Sequence, residues 1–153
     1  MSPSYGIYSG YENIEQVAAA PGSEEYLHSE KYERKQRDLD GPLLPLVAAL
    51  NRIRREHPAL QHFDNIRFLE TENDALIAYV KTTGDDTVIC VVTIDAVHAQ
   101  EGIADVPSDL GLPHDLSVTD LLTGERFDWH VGRNYVRLSP TDRVAHVLHV
   151  DAR

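Results

Sequence analysis

The stretch VICVVTI at residues 88–94 decides the fold class of this chain. Its apolar side chains occupy successive positions, and successive side chains of a β-strand point to opposite faces of the sheet. A strand that is apolar on both faces is typical of a position where both faces of the sheet are covered. We therefore predict a central strand at residues 88–94, with other strands on both sides of it.

Seven further segments of the chain have the pattern of short strands. They lie at residues 66–70, 75–82, 101–106, 116–122, 125–130, 134–138 and 145–150, and the segment 101–106 is the weakest. Residues typical of turns, such as Gly84-Asp85 and Thr123-Gly124, separate them. The segments 125–130 and 134–138 alternate, so each should have one wet face. Eight short strands over about ninety residues predict an antiparallel β-sandwich.

One strong helix precedes the strands, over residues 42–57. Its apolar residues recur at spacings of three and four and form one stripe. The stripe consists of Leu43, Leu46, Val47, Leu50 and Ile53. Asp40 is the predicted N-cap, Pro42 suits the first turn, and Pro58 ends the helix. A stripe of this kind needs a packing partner.

The N-terminal segment begins with a strand-like run at residues 4–10 and continues as a long connection to residue 40. A connection of this length without elements of its own is usually functional or disordered. Five of the seven tyrosines lie in it, at positions 5, 8, 11, 26 and 32. Tyrosines suit stacking on sugar rings, but they also anchor loops, and composition favours anchoring. Lys31 beside Tyr32 either reaches a polar ligand or lies in a solvated turn.

Composition excludes several classes of protein. The formal charge of −11 argues against nucleic-acid binding, and the basic cluster Arg52, Arg54 and Arg55 is interpreted as a solvated helix face. No apolar run is long enough for a membrane helix, and no signal peptide is visible. The single cysteine, Cys90, excludes an intrachain disulfide and fits a reducing compartment, so we expect the protein to be cytoplasmic.

No motif of a complete catalytic or metal site occurs in the sequence. It contains no GxSxG, P-loop or dinucleotide fingerprint, and none of the eight histidines lies in a zinc pattern. His146 and His149 are three apart on a strand, so they should point to opposite faces as two ordinary half-buried side chains. Cys90 should be a poor nucleophile. Asp86 and Asp120 lie where a turn and a strand end would place them. We therefore predict no catalytic residue, no metal and no cofactor.

The order of parts resembles the C-terminal end of the α-amylase clan of enzymes. YSGYE at residues 8–12 is similar to the end of the eighth barrel strand, and RIRREHPAL at residues 52–60 to the end of the last barrel helix. DLLTGE at residues 120–125, NYVRLSP at 134–140 and AHVLHV at 145–150 look like strands of the sandwich called domain C. The resemblance implies a mostly β chain, with a remnant of the (β/α)8 barrel (last strand, loop and helix) at 1–60 and domain C at 61–153.

Within the clan, the chain resembles most the α-1,4-glucan:maltose-1-phosphate maltosyltransferase family of bacterial α-glucan synthesis. The similar segments are SPSYGIYSGYE at 2–12, GSEEYLHSEKYE at 22–33, LNRIRREHPALQ at 50–61, NDALIAYVK at 73–81 and NYVRL at 134–138. The resemblance covers nearly the whole chain, and the segment 22–33 is specific to this family.

The family resemblance implies substrates and a binding pair. The parent enzyme would transfer maltosyl units from α-maltose 1-phosphate to the non-reducing end of an α-1,4-glucan. Lys31 and Tyr32 match the Lys-Tyr pair with which the family holds the maltosyl moiety of the donor. The implied partners are these two substrates and the missing barrel, and the implied parent is a homodimer.

The resemblance also implies that this chain alone is inactive. The family is a retaining glycosyl transferase, whose carboxylate nucleophile and acid/base lie about 5 Å apart. The resemblance places both groups on earlier barrel strands, and a barrel site is assembled from several strand ends.

Two other readings of the sequence remain open. The first is a free-standing β-sandwich that binds carbohydrate or a protein, although Tyr79, Trp129, Tyr135 and the three phenylalanines are also needed to fill the core. The second is the C-terminal part of another amylase-clan enzyme, such as a trehalose-forming or glucan-hydrolysing relative. SEEYLHSEKY at residues 23–32 argues against this second reading.

Overall fold

A computed structural model of the chain describes residues 2–27, 34–37 and 39–151. The chain forms two compact units. One consists of Ser4–Arg52, and the other of Ile53–Arg153 together with Met1–Pro3.

The larger unit is built from eight β-strands that pair only antiparallel. The strands are β1 (Ile66–Leu69), β2 (Leu76–Thr83), β3 (Asp86–Thr93), β4 (Gln100–Val106), β5 (Asp115–Asp120), β6 (Arg126–His130), β7 (Gly132–Leu138) and β8 (Ala145–Val150). Six of them form a sheet in the order β1-β2-β3-β8-β5-β6, and β4 pairs with β7 in a second sheet. All eight predicted strands and the mostly β, antiparallel fold class are confirmed.

Strand β3 is the central strand that its sequence predicts. It pairs with β2 on one side and with β8 on the other, so that Cys90 lies opposite both Tyr79 and Val147. Ile89 and Val91 are buried on one face, and Val88 and Cys90 on the other. Coverage of both faces explains why this strand contains so few polar residues.

The main core lies on the face that carries Ile89 and Val91. It consists of Leu69, Leu76, Ala78, Val80, Ile89, Val91, Ala104, Val106, Leu116, Val118, Trp129, Val136, Leu138, Leu148 and Val150. The two-stranded sheet contributes alternate residues of β4 and β7, and the intervening residues of β7 are exposed. This is the wet face that the alternation predicts. Each fully buried Leu, Ile or Val contributes about 1.5–3 kcal/mol relative to an exposed position.

A second, smaller core covers the other face of the six-stranded sheet. It joins Ile53, at the end of the helix, and Ala59 and Leu60 to Val88, Cys90 and Val147. Ala59 and Leu60 belong to a short 3₁₀ helix, Pro58–Gln61. The end of the helical segment is therefore part of the sandwich unit.

The helix α1 spans Leu44–Glu56, which confirms the predicted helix but shortens its start. Asp40 lies four residues before the helix, so its prediction as the N-cap is wrong. Residues 41–43 form a turn instead, in which the Leu43 N–H donates to the Glu12 carbonyl (3.1 Å). Of the apolar stripe, Ile53 is buried and Leu46 is exposed. Among the described residues, no helix is long and apolar enough to cross a membrane.

The strand expected at residues 4–10 is a wrong prediction. The first element in the described part of the chain is a 3₁₀ helix, Tyr11–Asn13, and residues 4–10 belong to neither sheet. A strand needs a neighbour to complete its hydrogen-bond ladder. The Tyr and Ile residues of this run supply the propensity for a strand but not that neighbour.

The aromatic residues of the sandwich do not all fill its core. Phe63 and Phe68 are 69% and 67% exposed, and Tyr135 is also exposed. Phe68 lies on the outer face of the edge strand β1, with its ring edge-on to Tyr79 at 6.1 Å. Ile66 and Ile77 are exposed beside it, so this part of the sheet presents an apolar surface to solvent.

Candidate functional site

The predicted donor-binding pair, Lys31 and Tyr32, lies outside the described residues. The structure describes the segments on both sides of the pair, residues 17–27 and 34–37. These flanking segments and the tyrosines near them, all within the unit Ser4–Arg52, are the candidate functional site.

The segment that leads to the pair forms a closed hairpin. Ala18 and Tyr26 make an antiparallel bridge. The Ala19 N–H donates to the Glu25 carbonyl and the Leu27 N–H to the Val17 carbonyl, both at 2.7 Å. Gly22 lies at the tip with φ of +77°, a conformation that glycine adopts without strain. The hairpin fixes the chain up to Leu27, four residues before Lys31.

Exposed tyrosine rings lie together in this unit. The rings of Tyr8 and Tyr26 are 5.8 Å apart and tilted by 36°, and both are exposed. Tyr11 is exposed as well, while the Tyr5 hydroxyl donates to Asn51 Oδ1 (2.7 Å). One tyrosine thus anchors the segment through its hydroxyl, and the other three have exposed rings. Such rings can stack on a sugar ring, and their hydroxyls can bond its hydroxyls.

An ion pair ties down the segment that follows Lys31 and Tyr32. The Arg37 guanidinium donates to both oxygens of Glu15 (2.9 and 3.1 Å) and to Ser9 Oγ (3.0 Å). Lys35 Nζ lies 3.5 Å from the same carboxylate. The hydrogen bond from Arg37 lowers the pKa of Glu15. The sequence shows only dense mixed charge here, so the pairing of these residues was not predictable from it.

Two glycines allow the close approach of chain segments around this ion pair. Gly10 has φ of +100°, and a Cβ there would lie 2.6 Å from Glu15 Oε2. A Cβ at Gly41 would clash with the Glu12 carbonyl oxygen. Any larger residue would displace the Glu15 side chain or the Glu12 backbone. The loop is therefore shaped by contacts that only glycine permits.

The sandwich contains a buried, hydrogen-bonded Asp–His pair that shapes a turn. Asp120 Oδ2 lies 2.8 Å from His146 Nδ1, and Asp120 Oδ1 accepts the Leu122 N–H (3.0 Å). Asp120 is fully buried. Burial acts to raise the pKa of Asp120, but hydrogen bonds from His146, Leu122 and Val147 outweigh it and hold the pKa below its ordinary value. Because its partners close the turn after β5, this carboxylate has a structural role.

The two histidines of β8 point to opposite faces, as their spacing predicts. His146 is buried against Asp120, whereas His149 is half-buried on the other face, next to His57 and Asp86. Asp86 and Asp120 begin β3 and end β5, so both lie where the sequence places them. The sequence does not reveal that His57, Asp86 and His149 meet, because they are far apart along the chain.

Comparison with known proteins assigns the family. The protein-family model described as "GLGE, C-terminal" matches residues 68–150, which includes most of the sandwich.

The chain belongs to the GLGE C-terminal family.

Relatives of this GLGE C-terminal chain extend the similarity into the N-terminal loop. Alpha-1,4-glucan:maltose-1-phosphate maltosyltransferase 2 of Streptomyces coelicolor is 51% identical, over 98% of this chain and 24% of its own length. The alpha-1,4-glucan:maltose-1-phosphate maltosyltransferase of Mycolicibacterium smegmatis is 46% identical, over 98% of this chain and 23% of its own length. The GLGE C-terminal chain therefore spans about a quarter of the length of the curated relatives it matches.

A solved structure shares the fold. A noncanonic maltogenic alpha-amylase from Thermotoga neapolitana matches 96% of the GLGE C-terminal chain and 33% of its own chain. The TM-score is 0.63 and the sequence identity 11%, so this likeness concerns the fold alone.

Proposed function

We propose that this chain is part of a maltosyltransferase that transfers maltosyl units from α-maltose 1-phosphate to the non-reducing end of α-1,4-glucans. The observation that carries the proposal is the identity of 46–51% to maltosyltransferases over 98% of the chain. The match extends beyond the family model at 68–150 and spans the loop with Lys31 and Tyr32. The proposed parent is cytoplasmic and homodimeric, with a retaining mechanism.

In this proposal, the loop contributes donor contacts rather than catalysis. Lys31 and Tyr32 bond hydroxyl groups of the maltosyl moiety, and the barrel strands outside this chain supply the carboxylates. The closed hairpin before the pair and the Arg37–Glu15 ion pair after it support this role, because they restrict both ends of the segment. Ordered flanking segments reduce the conformational entropy that is lost when a sugar binds between them.

The sandwich and helix α1 brace the catalytic barrel. Two observations support this role: apolar residues of β1 and β2 are exposed, and so is Leu46 of α1. Monomeric proteins rarely expose large apolar patches to solvent. The proposed occupant of both surfaces is the remainder of the parent chain. The relatives have about three quarters of their length outside the match.

The test is a chimera in which this chain replaces the matching quarter of the S. coelicolor relative. We expect the chimera to release phosphate from α-maltose 1-phosphate and to elongate a maltooligosaccharide, and the chain alone to do neither. In the chimera, Lys31→Met and Tyr32→Phe should each lower kcat/KM about 10–100-fold, because each removes a bond to a sugar hydroxyl. The matched controls Arg137→Met and Tyr135→Phe, both exposed on β7 of the sandwich, should change kcat/KM less than about threefold.

The same experiment separates the alternatives. A folded chimera that hydrolyses glucan or forms trehalose, without using α-maltose 1-phosphate, would indicate another amylase-clan parent. Retardation of the chain alone in a glycogen-containing gel, abolished by Phe68→Ala, would indicate a free-standing carbohydrate-binding sandwich. The exposure of Phe63 and Phe68 is the observation that keeps this second function open.

A further inference from the structure

Two imidazoles and one carboxylate converge on the outer face of the six-stranded sheet. His57 Nδ1 lies 2.9 Å from Asp86 Oδ1, and His149 Nε2 lies 3.4 Å from the same oxygen. One ligand atom of each residue lies within 4.8 Å of the other two. The three residues come from separate places. His57 directly follows α1, Asp86 begins β3 and His149 lies near the end of β8.

A neutral His149 imidazole cannot donate a hydrogen bond to both of the carboxylates beside it. Its Nε2 faces Asp86, and its Nδ1 lies 3.5 Å from Asp151 Oδ1. A neutral imidazole has one N–H, so it donates to one carboxylate and turns a lone pair toward the other. Two lone pairs facing one another repel unless an extra proton or a cation lies between them. A cation between His149 Nε2 and Asp86 Oδ1 would relieve this repulsion.

We propose that His57, Asp86 and His149 bind one divalent transition-metal ion of the zinc class. Zinc bonds of about 2.0–2.1 Å in a tetrahedron place ligand atoms about 3.4 Å apart. The distances from Asp86 Oδ1 to the two imidazoles, 2.9 and 3.4 Å, are close to this value, and the ligand atoms of the two imidazoles lie within 4.8 Å of each other. Two imidazole nitrogens with one carboxylate are a donor set for zinc, cobalt or nickel, whereas calcium and magnesium prefer oxygen ligands. Three protein ligands leave one position for water, and all three side chains are half-buried, so water can reach it.

Further residues orient the ligand side chains, as they do in known metal sites. Asp86 Oδ2 accepts the Ala59 N–H (2.8 Å), which fixes the carboxylate. Asp151 lies behind His149, and Thr119 Oγ1 holds Asp151 in place by donating to it (2.9 Å). A carboxylate that accepts the second ring N–H of a ligating histidine fixes its tautomer and orientation. The ion would therefore join the end of α1 to β3 and β8.

The test is metal binding by the purified protein after removal of metals with a chelator. We expect one Co²⁺ per chain with the visible absorption of a low-symmetry N/O site, displaced by Zn²⁺, and a rise in the melting temperature with Zn²⁺. His57→Gln and His149→Gln should each raise the Kd for Zn²⁺ at least tenfold. Asp151→Asn should raise it about tenfold, since it removes only the group behind a ligand.

The matched control is His98→Gln. His98 also lies beside a carboxylate, with Nδ1 3.4 Å from Asp95 Oδ2, but it is exposed and outside the cluster, so the Kd should not change. Urea unfolding of each metal-free variant checks that it folds. The two ligand histidines lie in different parts of the fold, so if one variant fails to fold, the other still tests metal binding. The proposal is overturned if Zn²⁺ does not bind, if Mg²⁺ binds as tightly, or if His57→Gln and His149→Gln bind as tightly as His98→Gln.

Discussion

Asp120 shows how one buried carboxylate organises a turn of the sandwich. Its backbone carbonyl accepts the Gly124 N–H (2.6 Å), and its backbone N–H donates to the Glu125 backbone carbonyl (2.8 Å). Its side chain is held by His146 and by the Leu122 N–H. The sequence predicts the turn at Thr123-Gly124 and places Asp120 at a strand end, but it does not pair Asp120 with His146.

We expect Asp120→Asn to lower the free energy of unfolding by about 2–4 kcal/mol, because it leaves buried donors without a charged acceptor. The amide also turns an NH₂ group toward N–H groups that need an acceptor. The measurement is urea unfolding at pH 7. The matched control is Asp128→Asn on β6, where the side chain is exposed. An equal loss in the two variants would contradict the structural role of Asp120.

The same variant should change the response to acid. The pKa of Asp120 is held below its ordinary value, so the ionised form stabilises the fold above about pH 4. This contribution is lost as the pH falls through the lower pKa of the folded state. Between pH 6 and pH 3, the wild-type protein should therefore lose more unfolding free energy than Asp120→Asn. Parallel losses would show that other groups govern acid sensitivity.

At the scale of elements, the pattern of apolar and polar residues predicted the strands, because their positions follow burial. It missed the start of helix α1, which depends on a contact between residues far apart in the sequence. The apolar run of β3 and the alternation of β6 and β7 predicted strands correctly, because each face of a strand reflects its surroundings. Asp40 has the chemistry of an N-cap, yet the Leu43–Glu12 hydrogen bond moves the helix start to Leu44. A contact between residues so far apart leaves no local signal.

Helix α1 should be sensitive to substitution at its C-terminal end and tolerant near its start. Ile53 is 2% exposed and packs in the smaller core, whereas Leu46 is 43% exposed. We expect Ile53→Ala to cost about 2–4 kcal/mol of unfolding free energy and Leu46→Ala less than about 1 kcal/mol. Urea unfolding of both variants measures the difference. Equal costs would mean that the stripe is packed along its whole length in the protein in solution.

At the scale of the whole molecule, the sequence predicted the sandwich fully and the loop in part. Five tyrosines in one segment indicated a sugar-facing or anchored loop. The structure shows anchoring for Tyr5, which bonds to Asn51, and exposure for Tyr8, and the sugar-facing role stays a prediction. The Arg37–Glu15 ion pair and the histidine cluster depend on tertiary contacts, so spacing could not predict them. Lys31 and Tyr32 stay predictions from resemblance.

The exposed apolar surfaces make a last prediction, which rests on the proposed function. Leu46 on α1 and Phe63, Phe68 and Ile77 on the sandwich are exposed. The chain alone should therefore associate, with a weight-average mass in sedimentation that rises above 17.2 kDa with concentration. Co-expression with the remaining three quarters of the S. coelicolor relative should replace this association with a defined complex.

Hydrogen exchange on the chain alone supplies the second measurement. Amides in residues 4–10 should exchange fast, because this run joins neither sheet, and amides of β3 should exchange slowest. Phe68→Ser with Leu46→Gln should reduce the self-association, whereas Asp128→Asn should not. The opposite result is a chain that stays monomeric at all concentrations and has protected amides throughout residues 4–52. This result would show that the exposed apolar surfaces need no partner. The proposal that this chain braces a larger barrel would then fail.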